Sequence, residues 1–219
     1  MEKPLEYLVR KPKVPIENPP LLLLLHGVGS NEEDLFSLTN YLPESLLIVS
    51  VRGPLTLGRN SFGWYEVLFT TGQPKINLEQ ETESRILLLQ FLDYLKLNYK
   101  FDESNVWIGG FSQGAIMSYS IGLLHPEKVN GIIALSGRLL EENKAQVKVS
   151  EKVLSKKVFI SHGTNDRVLS VDYARSVKGF LESIGVNPHY QEYEEGHSIN
   201  REMLKDLIQW LEVELENPN

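Results

Sequence analysis

The chain contains no cysteine among its 219 residues. That excludes disulfides, thiolate metal sites and a cysteine nucleophile together. Basic runs are missing too: Lys plus Arg number 22 against 29 Asp plus Glu, a formal charge of −7, which argues against a nucleic-acid binder. The longest purely apolar run is Leu21–Leu25, far short of the ~20 residues a membrane-spanning helix needs. Residues 1–20 carry charges and Pro12, Pro15, Pro19 and Pro20 where a signal peptide has an apolar stretch and a small-residue cleavage site. No lipidation signal is present. A cytoplasmic location without stable membrane insertion is the expectation. There is no His-Glu-x-x-His and no histidine pair at ligand spacing, so no metal and no cofactor are expected.

What remains is ordinary for a globular protein, at 42% hydrophobic and 23% charged residues. The length suits one large α/β domain, 1–219. Leu5–Val9 reads as an edge strand followed by a proline-stiffened loop. Leu21–Leu25 is apolar without alternation, as in a parallel strand covered on both faces. Ser30 and Glu33 have capping-box spacing ahead of Leu35, Leu38 and Leu42 at helical intervals. Further strands are expected at Leu46–Val51, Asn105–Gly109, Gly131–Leu135, Val158–Ser161 and His189–Tyr193. Helices are expected at Glu79–Tyr99, Gln113–Leu124, Val171–Ile184 and Asn200–Leu215. The alternation predicts a mostly parallel sheet with helices on both faces and right-handed crossovers. Residues 52–78 read as a long aromatic loop, a length that usually serves a function. Residues 137–157 read as loop with one short helix.

Ligands of such sheets bind beyond the carboxyl ends of the strands. Three polar positions fall there. Gly110-Phe111-Ser112-Gln113-Gly114 lies between a strand and a helix, as a nucleophile elbow does. With Gly and Ser each at about 7% of residues, such a match arises by chance about 0.07 times in a chain this long. The sharp turn lifts the serine hydroxyl above the sheet, and the glycines let the helix approach the strand. The helix amino terminus favours developing negative charge. Asp166 follows the strand ending at Ser161, and His197 follows the strand ending at Tyr193. The order Ser, Asp, His is the α/β-hydrolase order. It assigns His197 as the base that takes the proton of Ser112 and Asp166 as the group that orients His197. An aspartate in this position is also a common turn former, and Asn165 and Asp172 lie close by.

The other histidines have plainer roles. His26 anchors the first glycine turn, and His125 suits a helix carboxyl end. His162 packs at a strand end, and His189 lies near the surface. An oxyanion hole needs the N–H of the residue after the nucleophile, Gln113, and an N–H from the loop His26-Gly27-Val28-Gly29, where Val28 is the choice. That loop lacks the ending of a phosphate-binding loop.

Taken together, Leu25-His26-Gly27-Val28-Gly29 with Asn31-Glu32 and Asp34-Leu35, Arg52-Gly53-Pro54, Gly110-Phe111-Ser112-Gln113-Gly114-Ala115, His162-Gly163-Thr164-Asn165-Asp166 and Gly196-His197 resemble the carboxylesterase/phospholipase family of α/β-hydrolases. That family includes the acyl-protein thioesterases and many small bacterial esterases. The resemblance implies an α/β-hydrolase fold with minimal or no cap domain and a Ser112–His197–Asp166 triad. It also implies an oxyanion hole at Val28 and Gln113 and a monomer or homodimer. The His-Gly-Val-Gly-Ser-Asn-Glu loop is more like the bacterial esterase branch. The expected activity is hydrolysis of carboxylic esters with small to medium acyl chains, through an acyl-enzyme. A thioesterase or lysophospholipase using the same triad is the alternative. A catalytically silent binder would usually lack a triad member, and none is missing. The expected partner is a small-molecule ester. Trp64, Tyr65 and Phe69, with Phe62, are candidates to line its pocket.

Overall fold

Five consecutive leucines suit a strand covered on both faces, and Leu21–Leu25 forms one in the computed structural model, which describes residues 3–68 and 75–216. The strands are β1 (Tyr7–Arg10), β2 (Leu21–Leu25), β3 (Leu47–Val51), β4 (Leu55–Gly58), β5 (Ser61–Gly63), β6 (Val67–Leu68), β7 (Lys75–Ile76), β8 (Val106–Phe111), β9 (Gly131–Leu135), β10 (Lys157–Gly163) and β11 (His189–Tyr193). The helices are α1 (Glu33–Phe36), α2 (Leu78–Asn98), α3 (Gln113–Leu124), α4 (Glu141–Lys144), α5 (Glu151–Leu154), α6 (Val171–Ser183) and α7 (Arg201–Glu216).

The main sheet runs β1-β3-β2-β8-β9-β10-β11. Only its edge strand β1 is antiparallel; the other pairings are parallel. Leu21, Leu23 and Leu25 pack with α2 and α3 through Leu88, Phe91, Met117 and Ile121. Leu22 and Leu24 pack on the opposite face with Leu35 of α1 and Leu207 and Leu211 of α7. Each buried leucine contributes about 1.5–3 kcal/mol, so β2 is a structural axis of the domain. α3 is buried along nearly its whole length, as a helix apolar all round must be. Asn77 caps α2 by accepting from the Gln80 N–H at 3.2 Å.

From β2 the chain winds outward to β3. It later returns to place β8 on the other side of β2 and continues through β9, β10 and β11. The strand order therefore reverses between β2 and β8, where Leu25 is level with Gly110. A crevice at the carboxyl ends of two strands that diverge this way is where ligands bind in open α/β sheets.

Three local expectations need correction. Ser30 does not cap α1. Its backbone is bridged to Phe62, with the Gly29 N–H donating to Phe62 O and the Phe62 N–H to Ser30 O, both at 2.8 Å. The helix starts after Glu32, lasts one turn and continues as tighter turns that still bury Leu35 and Leu42. Residues 52–78 are not a plain loop among the described residues: β4 pairs with β5 and β6 with β7, both antiparallel. The first hairpin turns at Asn60 with φ 57°, a left-handed conformation asparagine tolerates. Residues 137–157 hold two short helices, α4 and α5, rather than one. No helix of the described residues is long and apolar enough to cross a membrane.

Candidate active site

Ser112 sits between β8 and α3 at φ 54°, ψ −115°, a conformation costly for a side-chain-bearing residue. Close packing holds it there. A Cβ on Gly114 would lie 1.9 Å from the Leu25 carbonyl oxygen, and one on Gly110 2.4 Å from the Gly114 carbonyl carbon. Both glycines are thus required by the approach of α3 to β2. The Ser112 N–H donates to Leu135 O at 2.9 Å. As the residue before α3 it leaves its hydroxyl free of any capping bond.

That hydroxyl lies 2.8 Å from His197 Nε2. His197 Nδ1 lies 2.6 Å from Asp166 Oδ2. The other oxygen of Asp166 accepts from the N–H groups of Val168 at 2.8 Å and Leu169 at 2.9 Å. Burial opposes ionisation of this carboxyl, but the bonds from His197, Leu169 and Val168 outweigh it and hold the group below its usual range. The structure therefore brings the three triad candidates together from three different strand ends. The competing Asp172 is exposed at the start of α6 and paired with Arg175 at 2.9 Å.

Two backbones cross closely to make this possible. A Cβ on Gly163 would fall 2.3 Å from the carbonyl oxygens of both Glu195 and Gly196. The Thr164 N–H donates to Tyr193 O at 2.8 Å and the Asn165 N–H to Glu195 O at 3.0 Å. The loops carrying Asp166 and His197 are laced together along their length.

The oxyanion candidates flank Gly63. A Cβ there would be 3.3 Å from Gln113 Oε1 and 3.5 Å from Val28 Cγ2. Val28 is 50% exposed. The first N–H groups of a helix have no carbonyl one turn earlier, and Gln113 is the first residue of α3. Below them His26 is fully buried; Nδ1–H donates to Gly27 O at 2.7 Å and Nε2 accepts from the Gly53 N–H at 2.9 Å. Burial lowers its pKa, so a neutral ring anchors the loop, as expected. His125 lies at the carboxyl end of α3, as expected, where burial first, and then the Arg85 charge, push its pKa down.

Trp64 and Tyr65 are 0% and 1% exposed and belong to the core. This corrects the expectation of a pocket wall: they support the site from beneath. Trp64 Nε1 donates to His26 O at 2.9 Å. The Gln113 side chain accepts from the Trp64 N–H at 2.8 Å and donates to Tyr65 O at 2.7 Å. Phe69 lies outside the described residues. Phe62 carries the Arg52 guanidinium 4.5 Å above its ring. A cleft of about 300 Å³ opens beside the triad, lined by Asp34, Leu35, Phe111, His197, Ser198 and Ile199 among others.

Sequence reading missed the second role of Gln113, the Glu32–Arg52 pair and the contact of His162 with Asp166. None of these pairings has a spacing that marks it.

A profile of the phospholipase/carboxylesterase family matches residues 8–215. Acyl-protein thioesterase 1 of Eremothecium gossypii is 27% identical over 213 residues, spanning 89% of this chain and 87% of that protein. The carboxylesterase of Bacillus cereus superposes with a TM-score of 0.82 at 25% identity, over 95% of this chain and 94% of that one. Acyl-protein thioesterase 2 of Zea mays superposes at 0.78 and 20% identity, over 96% and 99%. At that identity the likeness shows the fold.

Proposed function

We propose, from the premise that the chain belongs to the phospholipase/carboxylesterase family, that it hydrolyses carboxylic esters with Ser112 as nucleophile, His197 as base and acid, and Asp166 as the group that orients the imidazole. The chain is a hydrolase of α/β-hydrolase fold. The single observation that carries the residue roles is the continuous path Ser112 Oγ–His197 Nε2–His197 Nδ1–Asp166 Oδ2, at 2.8 and 2.6 Å.

The chemistry follows from that path. Ser112 Oγ attacks the ester carbonyl carbon as its proton passes to His197 Nε2. The negative charge that develops on the carbonyl oxygen is met by the N–H groups of Val28 and Gln113. His197 returns the proton to the leaving oxygen as the carbon–oxygen bond breaks. A water molecule, deprotonated by the same nitrogen, then cleaves the acyl-enzyme and regenerates Ser112.

The same reading takes 1–219 as one domain, cytoplasmic, working as a monomer or homodimer on small to medium acyl chains. The open cleft beside His197 supports small esters. A thioester substrate is the second reading, favoured by relatives named acyl-protein thioesterase.

An active-site fluorophosphonate should modify Ser112 alone, located by peptide mass mapping. Folded protein that resists labelling would rule the nucleophile out. A panel of oxygen esters and thioesters of graded acyl length then separates the substrate readings: the ester reading requires the highest kcat/KM on short oxygen esters.

A further inference from the structure

His162 is fully buried at the end of β10. Strand alternation places it on the same face as Val158 and Ile160, which pack with α6 through Ala174, Val177 and Leu181. An apolar side chain would suit that position. The imidazole instead leaves Nδ1 buried without a hydrogen-bond partner among the described residues, an arrangement that opposes folding. Packing alone gives no reason for the ring.

Its other nitrogen supplies one. Nε2 lies 2.8 Å from Leu169 O. A carbonyl only accepts, so the proton is on Nε2. The same nitrogen is 3.3 Å from Asp166 Oδ2, the oxygen that accepts from His197 Nδ1. Leu169 is held at both ends: its N–H donates to Asp166 Oδ1 at 2.9 Å and its carbonyl accepts from His162. Ring, carboxylate and the 166–169 turn form one closed circuit.

We infer that His162 is a positioning residue for the acid of the triad. Its Nε2–H pins the turn that aims Asp166 at His197, and its N–H dipole draws negative potential from Oδ2. The inference rests on the triad reading above. The titratable groups around the ring are accounted for. Asp166 touches it, and His197 lies beyond that carboxylate. Glu192 sits opposite His162 in the β11 register and is engaged by Arg175 and Tyr190. Asp172 of α6 is paired with Arg175. Glu195, on the loop preceding His197, accepts from the Gly196 N–H.

The test compares H162L, H162N and H162Q by kcat, KM and the pH profile of kcat/KM on a short p-nitrophenyl ester, with rates expressed per folded molecule from unfolding curves. Leucine has no donor, and the asparagine amide is too short to reach Leu169 O. Both should lower kcat by about 10- to 100-fold with KM little changed, the scale of a catalytic group misplaced by about 1 Å. Both should also displace the acidic limb of the pH profile, because that limb reports the contact between Asp166 and His197 that the turn holds. Glutamine can place an amide N–H near the Nε2 position, and H162Q should recover most of the turnover and return the limb toward wild type. Unchanged kcat and limb in H162N or H162L would overturn the inference, as would H162Q damaged as severely as H162N. If H162L does not fold, H162N and H162Q decide. Failure of the triad reading shows separately, as hydrolysis that survives in S112A.

Discussion

Arg52 meets Glu32 through a two-bond fork, Nε to Oε2 at 2.6 Å and Nη2 to Oε1 at 2.5 Å. This ties the end of β3 to the loop that carries Val28. The bond from Arg52, working against burial, holds the Glu32 carboxyl below its usual range. Lysine at position 52 keeps the charge but makes no planar fork and stacks poorly on Phe62. R52K should therefore lower kcat by about 10-fold, roughly 1.4 kcal/mol of transition-state stabilisation, with a smaller change in KM. Steady-state kinetics on one ester measures the split; a change in KM alone would mean that the pair does not position the oxyanion loop.

Asp166→Asn retains the acceptor for the Val168 and Leu169 N–H groups but removes the charge beside His197. It should reduce kcat by about 10⁴-fold while the far-UV circular dichroism stays native. A variant within tenfold of wild type would show that another group orients the imidazole.

Two glycine substitutions should have opposite effects on stability. Gly114→Ala puts a Cβ 1.9 Å from Leu25 O, which no rotamer can relieve, and should destabilise by more than ~4 kcal/mol or prevent folding. Gly179 of α6 is exposed, and an added Cβ meets nothing within 4 Å. Gly179→Ala should stabilise by up to about 1 kcal/mol. Denaturant unfolding of both variants checks the contrast.

Glu192 predicts a pH dependence. The Arg175 bonds first, and then the Tyr190 hydroxyl, hold its carboxyl down to about 2 from 4.5. A depressed folded-state pKa contributes stability that is fully present above about 4.5 and is lost as pH falls toward about 2. The stability difference between wild type and R175M should be present at neutral pH, shrink across that window and weaken with salt. Because Arg175 is half exposed, solvent screens the pair and the difference should be small. Thermal melts between pH 7 and pH 2 measure it; a difference that grows on acidification would contradict the assignment.

Much of the framework was legible beforehand because it rests on short-range physics. The apolar runs Leu21–Leu25 and Gly131–Leu135 are strands with the expected bounds, and Gln113–Leu124 is the expected helix. The elbow was legible because Gly-x-Ser-x-Gly between a strand and a helix is a contiguous five-residue pattern. What escaped was whatever a distant segment imposes. Ser30 has the spacing of a cap, yet Phe62 captures its backbone. Trp64 and Tyr65 looked like pocket residues because aromatics in a loop suggest a ligand. The Gln113 side chain and His26 O draw Trp64 inward, and Gln113 also binds Tyr65 O.

The sequence by itself determined the strand and helix periods, the strained turn at Ser112, the absence of any cysteine nucleophile and the chain order of serine, aspartate and histidine. The first three depend on composition or on residues within a few positions of one another, and the chain order is read directly along the sequence. Only the tertiary structure decided that Asp166 rather than Asp172 reaches His197, that Arg52 holds Glu32, and that His162 stands behind the acid. Those choices follow from the reversal of strand order between β2 and β8 and from the lacing of the loops after β10 and β11. The Arg52–Glu32 and His197–Asp166 contacts span 20 and 31 positions and are set by which strand ends lie side by side. Although His162 and Asp166 are only four positions apart, it is the fold of the turn after β10 that brings ring and carboxylate together.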